Sequence, residues 1–398
     1  MTTPAEAEAA IHSHVQVLPA QLTALTDLAG AILREPIAAA RDQPPFDRVM
    51  MDGIAIATGD AGRRDFRIAG TQAAGSRQML LASPDACFEV MTGAVLPHGC
   101  DAVIPVENIT ITAGVARLAD HVTPVLDMNI HRRGIDCRAG TPLLEAGIRL
   151  RAPEVAVIAS TGLARVAASR PPRIMVISTG DELKEPGDAV EEWQIYRSNA
   201  YGVLATLEAR GFAHLAHDHA PDDLDILRQR LRSHLEAHDV LILSGGVSMG
   251  KFDYIPQVLG ELGIRVVFHK VEQRPGRPLW FGIGDTGATV YALPGNPVST
   301  LVCLLRYVLP GLATAQGAPQ IAPELVALSE DVEVRPALTL FQPVKLLPSA
   351  DGQPATALVT PTRGSGDFTS LIGTAGFVEL APGSRPIKRG TRVPLYRW

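Results

Sequence analysis

Three glycine-containing turns follow short apolar segments between residues 174 and 299 of this 398-residue chain. Each apolar segment is typical of a buried strand, and each turn can present backbone N–H groups to an anion. The turns are Thr179-Gly-Asp-Glu182, Ser244–Gly250 and Leu293-Pro-Gly-Asn-Pro-Val-Ser299. Ligands bind at the carboxyl ends of the strands in an open α/β sheet, so we expect the three turns to form one anion-binding site.

A run of basic residues follows another predicted strand. The segment Lys270-Val-Glu-Gln-Arg-Pro-Gly-Arg-Pro278 contains three cations, and its proline and glycine favour a turn between the arginines. Two guanidinium groups can hold one oxyanion through paired hydrogen bonds. The formal net charge of the chain is -6, so an anionic ligand needs a local basic pocket of this kind. Arg274 and Arg277 are therefore predicted to bind an oxyanion.

The second turn also resembles a nucleotide-binding P-loop. The residues from Gly245 to Lys251 match GxxxxGK, but Phe252 stands where a Mg²⁺-binding hydroxyl is required. The pattern therefore argues against an NTPase. Asp253, two residues after the lysine, is the better candidate for phosphate chemistry.

The segments on either side of these turns alternate between strand-like and helix-like spacing of apolar residues. Strands are predicted at 174–178, 213–218, 240–243, 266–271 and 289–292, and helices at 199–210, 224–235, 254–262 and 297–312. This alternation predicts a mainly parallel, doubly wound sheet. From about residue 321, short strand-like runs between glycine and proline turns predict a C-terminal β-barrel or sandwich.

The first 131 residues show a different pattern of predicted secondary structure. Residues 1–13 are predicted to be a loose tail, and the spacing of apolar residues predicts a helix over 22–33. Residues 56–131 alternate short β-like runs with turns, which predicts a small β-rich domain.

Composition excludes several classes of protein. The net negative charge argues against nucleic acid as a partner. None of the four cysteines forms a CxxC pair, which is typical of reduced thiols in the cytoplasm. The N-terminus lacks a signal-peptide pattern, and no apolar run is expected to reach the ~18 residues of a membrane helix. We therefore expect a cytoplasmic protein with no membrane partner.

The motifs in order resemble those of the molybdopterin molybdenumtransferase family, which includes bacterial MoeA and the E-domains of gephyrin and its plant counterpart. Besides the segments above, the resemblance covers Phe46-Asp, Met51-Asp-Gly53, Thr92-Gly-Ala94, Arg133-Gly with Asp136, and Gly364-Ser365. It implies a multidomain α/β plus β fold and a homodimer. The implied domains are a discontinuous domain (14–45 and 132–170), an inserted β-rich domain (46–131), a MogA-like α/β domain (171–317) and a C-terminal β-barrel (318–398).

The resemblance also implies a reaction. A transferase of this kind inserts molybdenum from molybdate into adenylylated molybdopterin and releases AMP, with Mg²⁺ as cofactor. The site is shared between subunits, and transient contact with the molybdopterin adenylyltransferase is implied. The alternative is a non-catalytic paralogue that binds molybdopterin as a scaffold.

Site residues follow from the same resemblance, position by position. The implied catalytic residues are Asp52, Asp136, Glu182, Asp222, Asp253 and Lys270, with Glu182 and Asp253 as metal ligands. The implied substrate-binding residues are Thr92, Gly245, Gly246, Ser248, Arg274, Arg277, Pro294, Asn296, Pro297, Ser299 and Ser365.

Several positions depart from the family pattern. His131 and Arg197 replace an arginine and an acid, and Arg274 and Arg277 replace lysines. Pro343 stands where an arginine is expected in the C-terminal domain. This last change motivates the scaffold alternative, because it removes a cation from the implied molybdate pocket.

Overall fold

The computed structural model describes residues 1–60, 62–247, 254–348, 352 and 354–398. The chain divides into two compact units. The large unit comprises Met1–Arg34, Gly147–Leu150 and Val166–Trp398, and the small unit comprises Glu35–Ala146 and Arg151–Arg165. The four domain boundaries stay a prediction, because this division separates two units only.

The large unit is built on a six-stranded sheet, the central sheet. In spatial order its strands are Leu215–Ala220, Ile174–Thr179, Val240–Ser244, Thr289–Leu293, Trp280–Gly284 and Ile264–His269. The first four run parallel, and Trp280–Gly284 is antiparallel to both of its neighbours. The strands that end in the three turns are buried along their whole length, as expected where helices cover both faces.

Helices cover the two faces of the central sheet. Along Ile174–Thr179, Ile174 and Val176 enter one hydrophobic cluster, whereas Met175 and Ile177 enter another. Alternate side chains of a strand point to opposite faces, so each face has its own core. The helices of the large unit are Pro4–His14, Ser198–Glu208, Leu224–Ala237, Ile255–Glu261, Pro297–Cys303 and Leu309–Ala315, with a π-helical turn at Leu304–Val308. The predicted doubly wound sheet is confirmed.

The first of these helices shows that the prediction of a loose N-terminal tail was wrong. Thr3 and Glu6 form a capping box: the Thr3 Oγ1 accepts from the Glu6 N–H at 3.3 Å, and the Glu6 carboxylate accepts from the Thr3 N–H at 2.8 Å. Ala7 and Ile11 are fully buried in the same cluster as Leu312. Tertiary packing of a narrow apolar stripe therefore holds this helix.

One segment of the described chain, Pro297–Ala315, is long and apolar enough to cross a membrane by length and composition alone. Its 18-residue window has a mean hydropathy of 1.5 and is 72% buried inside the protein. Val302, Tyr307 and Leu312 all lie in hydrophobic clusters of the large unit. The segment is therefore typical of a core helix. The prediction that no apolar run reaches the length of a membrane helix was wrong for this segment.

Residues 22–33 do not form the predicted helix. The structure has a strand at Ala20–Ala24 and a 3₁₀ turn at Leu25–Asp27 instead. Beyond them, the Gly30 N–H donates to the Leu150 carbonyl at 2.8 Å, and Leu33 bridges to Ala168. Pairing with distant backbone segments overrides the helical period of the apolar residues.

The C-terminal part of the large unit is a closed five-stranded barrel, as the sequence predicted. Its strands are Glu324–Leu328, Thr339–Leu347, Thr356–Val359, Gly376–Leu380 and Arg392–Arg397. The strand Thr339–Leu347 pairs with both Thr356–Val359 and Gly376–Leu380, which closes the ring. A two-residue strand, Gln273–Arg274, adds to the outside of Thr339–Leu347 and ties the barrel to the α/β part.

Shorter elements complete the large unit. They are the strand Arg165–Ser169, the paired strands Leu183–Lys184 and Ile195–Tyr196, and the 3₁₀ turn Phe368–Leu371.

The small unit is β-rich, as predicted. Its six-stranded sheet has the spatial order Ala102–Pro105, Gly53–Ile56, Ala86–Val90, Asp65–Gln72, Val115–Leu118 and Ile109–Thr112. A 3₁₀ turn, Val106–Asn108, follows the first of these strands. The unit also contains the pairs Arg48–Val49 with Ile130–His131 and Ile37–Ala38 with Pro142–Leu144, and the helix Ala152–Ser160.

Candidate functional site

The three turns meet at the carboxyl edge of the central sheet. The Gly245 N–H donates to the Leu293 carbonyl at 3.2 Å, which joins the second turn to the third. A Cβ atom added to Gly245 would lie 2.8 Å from the Thr179 carbonyl oxygen, and one added to Gly295 would lie 3.5 Å from the Gly245 α-carbon. At Gly245 the short distance and the φ of 103° require glycine, whereas the contact at Gly295 is an ordinary van der Waals distance. The predicted convergence of Gly245 and Gly246 with Thr179 and Gly295 is therefore present.

Asn199 holds two of the turns together. Its Nδ2 donates to the Ser244 Oγ at 2.9 Å and to the Gly295 carbonyl at 2.7 Å. One amide group thereby uses both of its N–H bonds to link the ends of two parallel strands. The sequence analysis placed Asn199 at the start of a helix and gave it no role, because its partners lie 45 and 96 residues away.

Two buried hydroxyl groups at this edge have no hydrogen-bond partner among the described residues. They are the Ser178 Oγ and the Thr179 Oγ1, on residues that are 1% and 4% exposed. The Thr179 hydroxyl faces the α-carbons of Gly245 and Gly246. A buried polar atom without a partner is costly, so an unpaired hydroxyl at the end of this sheet is consistent with a bound polar ligand.

Acidic residues surround the first turn. The Asp222 N–H donates to the Asp181 carboxylate at 3.2 Å, and the Glu182 carboxylate folds back over the α-carbon of Gly180. Asp222 and Glu182 are thus brought to the same edge of the sheet. Among the described residues, no group of three or more His, Cys, Asp or Glu side chains is arranged to hold a metal ion.

Two predicted site residues, Ser248 and Asp253, lie outside the described residues. Their roles in substrate and metal binding stay predictions.

A cavity of about 670 Å³ lies between the α/β part and the barrel of the large unit. We call it the arginine cavity, because Arg274, Arg277, Arg335 and Arg363 line it and none of its other described lining residues is charged. The other predicted site residues that line it are Pro294, Asn296, Ser299 and Ser365. The structure therefore brings most of the predicted oxyanion-binding residues together.

Backbone pairing explains how the two walls of the arginine cavity meet. Arg274 pairs with Leu340 of the barrel. On the other side, the Val298 N–H donates to the Ser365 carbonyl at 3.1 Å, which holds the Gly364-Ser365 loop against the helix that begins at Pro297. The third turn of the central sheet therefore forms one wall of the cavity.

Lys270 is not among the residues that line this cavity. It follows the strand Ile264–His269 with a positive φ of 73°. Its backbone N–H donates to the Leu279 carbonyl at 2.9 Å, and its carbonyl accepts from the Thr2 N–H. Lys270 therefore lies outside the lining of the arginine cavity, and its catalytic role stays a prediction.

The small unit contains the remaining predicted residues. The Asp52 carboxylate accepts hydrogen bonds from the Thr92 N–H at 2.7 Å and from the Thr92 Oγ1 at 2.8 Å. The Thr92 N–H first, and then its hydroxyl, hold the pKa of Asp52 below its usual value. Asp136 lies 2.8 Å from the His131 Nε2. Both pairs are exposed, and three of their four members, Asp52, Thr92 and Asp136, are predicted site residues.

Comparison with known proteins agrees with this architecture. Residues 2–162 match the MoeA N-terminal region (domain I and II), residues 175–314 a probable molybdopterin binding domain, and residues 326–398 the MoeA C-terminal region (domain IV). The chain is 40% identical over 372 residues to the molybdopterin molybdenumtransferase of Synechocystis, covering 93% of each chain. It is 30% identical to the protein of that name from Staphylococcus aureus strain Mu50, covering 95% of this chain and 91% of the relative.

A solved structure shows the same architecture. The molybdopterin biosynthesis MoeA protein from Pyrococcus horikoshii superposes with a TM-score of 0.80 at 27% identity. The match covers 100% of this chain and 99% of that one. The predicted multidomain combination of α/β and β-rich parts is thereby confirmed.

Proposed function

Since the chain belongs to the molybdopterin molybdenumtransferase family, a family of transferases in molybdenum cofactor biosynthesis, we propose that it inserts molybdenum from molybdate into adenylylated molybdopterin. In this reaction the phosphoanhydride bond breaks, AMP leaves, and molybdenum joins the dithiolene of the pterin. The observation that carries the proposal is that the third glycine turn, which is bonded to the second, also lines the arginine cavity. Two substrates bound at the turns and in the cavity would therefore be neighbours.

The glycine turns suit the phosphate end of this substrate. Their backbones approach closely enough to exclude side chains, and the Thr179 hydroxyl facing them lacks a partner. Backbone N–H groups in such turns stabilise phosphate oxygens without long flexible side chains. We assign Gly245, Gly246 and Thr179 to binding the phosphate group.

The arginine cavity suits molybdate, a tetrahedral dianion. Arg274 and Arg277 can donate paired hydrogen bonds to its oxygens, and the hydroxyls of Ser299 and Ser365 can donate one each. Binding both substrates side by side converts their encounter into a reaction within one complex. The residues of the chain therefore act mainly by positioning.

Mg²⁺ fits the acidic side of the site by donor type. This ion usually takes one or two carboxylates and completes its shell with substrate phosphates and water, so a cluster of three acids is not required. We propose Glu182 and Asp253 as the ligands; of the two, Glu182 lies in the first turn, which begins at Thr179 with its unpaired hydroxyl. Bound Mg²⁺ would offset the negative charge that develops as the anhydride bond breaks.

The decisive assay measures AMP release. Purified protein with adenylylated molybdopterin and Mg²⁺ should release AMP only when molybdate is added. Chelation of the metal should stop release, and added Mg²⁺ should restore it. Tight pterin binding without molybdate-dependent AMP release would instead support the scaffold alternative.

We also propose a homodimer in which Asp52 and Thr92 of one subunit serve the site of the other. Complementation tests this arrangement: Asp52→Ala and Arg274→Gln proteins are mixed after reversible dissociation. A shared site predicts recovery of about a quarter of the wild-type activity, since half of the dimers then contain one intact site of two. Recovery of none would show that both residues act within one subunit. A cytoplasmic location and contact with the adenylyltransferase stay predictions.

A further inference from the structure

The arginine cavity contains two cations that the sequence analysis did not identify. Arg335 and Arg363 both belong to the C-terminal part of the large unit and line the cavity together with Arg274 and Arg277. Among the described residues, none of those that line the cavity is acidic, although Asp367 lies beside Arg363. Four positive groups around a space of about 670 Å³ favour an anionic occupant.

Some arginines of the chain are held in ion pairs by carboxylates. Arg170, Arg228 and Arg306, for example, each contact one or more carboxylates. By contrast, none of the four cavity arginines forms an ion pair with any described residue. Arg277 makes one side-chain contact, to the Met1 sulfur. Their guanidinium groups are therefore available to a ligand.

The backbone holds the two additional arginines close to the first pair. Arg335 bridges to Leu338, two residues before the residue that pairs with Arg274, and its carbonyl accepts from the Gly383 N–H at 3.0 Å. The Arg363 N–H donates to the Asp367 carboxylate at 3.1 Å, which closes the loop that carries Ser365. Both side chains therefore start from backbone that is tied into the cavity wall.

Pro343 lines the same cavity and contributes no charge. The barrel nevertheless supplies positive charge from two other positions. We propose that Arg335 and Arg363 are specificity-determining residues of the oxyanion site, and that they bind the oxygens of molybdate from the barrel side. This inference rests on the proposed function and deepens it.

Four guanidinium groups around one cavity suit a doubly charged tetrahedral oxyanion. Each arginine can donate two parallel hydrogen bonds, and such bonds to an ionised acceptor are about twice as strong as neutral ones. The assignment therefore predicts that charge at both barrel positions controls the affinity for molybdate more than the affinity for the pterin.

The test uses Arg335→Gln, Arg363→Gln and the double variant, with Arg335→Lys and Arg363→Lys as charge-preserving variants. Arg392→Gln is the matched control, because Arg392 is an exposed barrel arginine outside the cavity. Each Gln variant should raise the KM for molybdate by about tenfold or more, since a hydrogen bond to a charged group is lost. The Lys variants should fall between these and the wild type. The rate at saturating molybdate and the KM for adenylylated molybdopterin should change little.

Two outcomes would overturn the inference. One is a double variant whose KM for molybdate equals that of the Arg392→Gln control. The other is an increase in the KM for adenylylated molybdopterin alone, which would assign the two arginines to the phosphate group.

Failure of the proposed function is distinguishable from failure of this inference. If the wild-type protein releases no AMP, the proposed reaction is refuted, and calorimetric binding of molybdate alone then decides the inference. Weaker molybdate binding by the double variant than by the control supports the inference, and equal binding refutes it.

Discussion

Replacing Gly245 with alanine tests the contact between the glycine turns most directly. Gly245 has a φ of 103°, and an added Cβ atom would lie 2.8 Å from the Thr179 carbonyl oxygen and 2.9 Å from its hydroxyl. The substitution therefore combines backbone strain with a steric clash. Left-handed backbone costs an alanine about 1–2 kcal/mol, and forcing extra volume into packed structure costs about 1–3 kcal/mol. The sum is a loss of about 2–5 kcal/mol.

Two other glycines separate these contributions. Gly211 also has a positive φ, 84°, but nothing lies within 4 Å of an added Cβ atom. Gly211→Ala should therefore lose only the strain energy, about 1–2 kcal/mol. Gly260 lies in the helix Ile255–Glu261 with free space around it. Gly260→Ala should stabilise the protein by about 0.5–1 kcal/mol, because alanine loses less backbone entropy in a helix.

Urea unfolding followed by the fluorescence of the buried Trp280 measures the three variants on one scale. The expected order of stability is Gly260→Ala, wild type, Gly211→Ala and Gly245→Ala. AMP release should fall by about tenfold or more in Gly245→Ala alone, since catalysis is sensitive to small displacements of binding groups. Equal stability of Gly245→Ala and Gly211→Ala would refute the close approach of Gly245 to Thr179.

Three further predictions concern single side chains. Asn199→Ala should lower the free energy of unfolding by about 1–3 kcal/mol, because it leaves the Gly295 carbonyl without its amide partner. It should also weaken pterin binding. Unchanged binding would show that Asn199 has no role in the site. Thr92→Val should raise the pKa of Asp52 by removing the hydroxyl while the backbone N–H remains, as measured by carboxyl NMR titration. The pKa of Asp52 is lower in the folded than in the unfolded state, so its contribution to stability is complete above the unfolded pKa. That contribution is lost as the pH falls through the folded-state pKa. The stability difference between wild type and Thr92→Val should therefore shrink as the pH is lowered. Asp253→Ala should abolish AMP release without changing the unfolding midpoint, and near-normal release would remove Asp253 from the mechanism.

Local sequence patterns predicted the central sheet well. The run Val240–Ser244 is apolar and followed by glycine, and the structure places a fully buried strand there. The same holds for Ile174–Thr179 and Thr289–Leu293. A strand buried on both faces needs a continuous apolar run, and a tight turn after it needs glycine, so both features are visible in a few consecutive residues.

Segments that depend on distant partners were predicted poorly. Residues 22–33 carry a helical period, yet Gly30 and Leu33 bond to backbone more than 100 residues away. The N-terminal helix has a capping box in its sequence, but its burial of Ala7 and Ile11 depends on a helix near residue 312. Short-range propensity amounts to less than 1 kcal/mol per residue, and tertiary pairing exceeds it.

Short stretches of the chain are enough to predict the buried strands, the glycine turns that end them, and the pair Arg274 and Arg277. Which other groups share their site depends on how distant segments pack together. Asn199, Arg335 and Arg363 lie far from the turns along the chain, and no local pattern distinguishes them from other polar surface residues. They join the site because parallel strands end at one edge of the sheet and the strand Gln273–Arg274 pairs with the barrel.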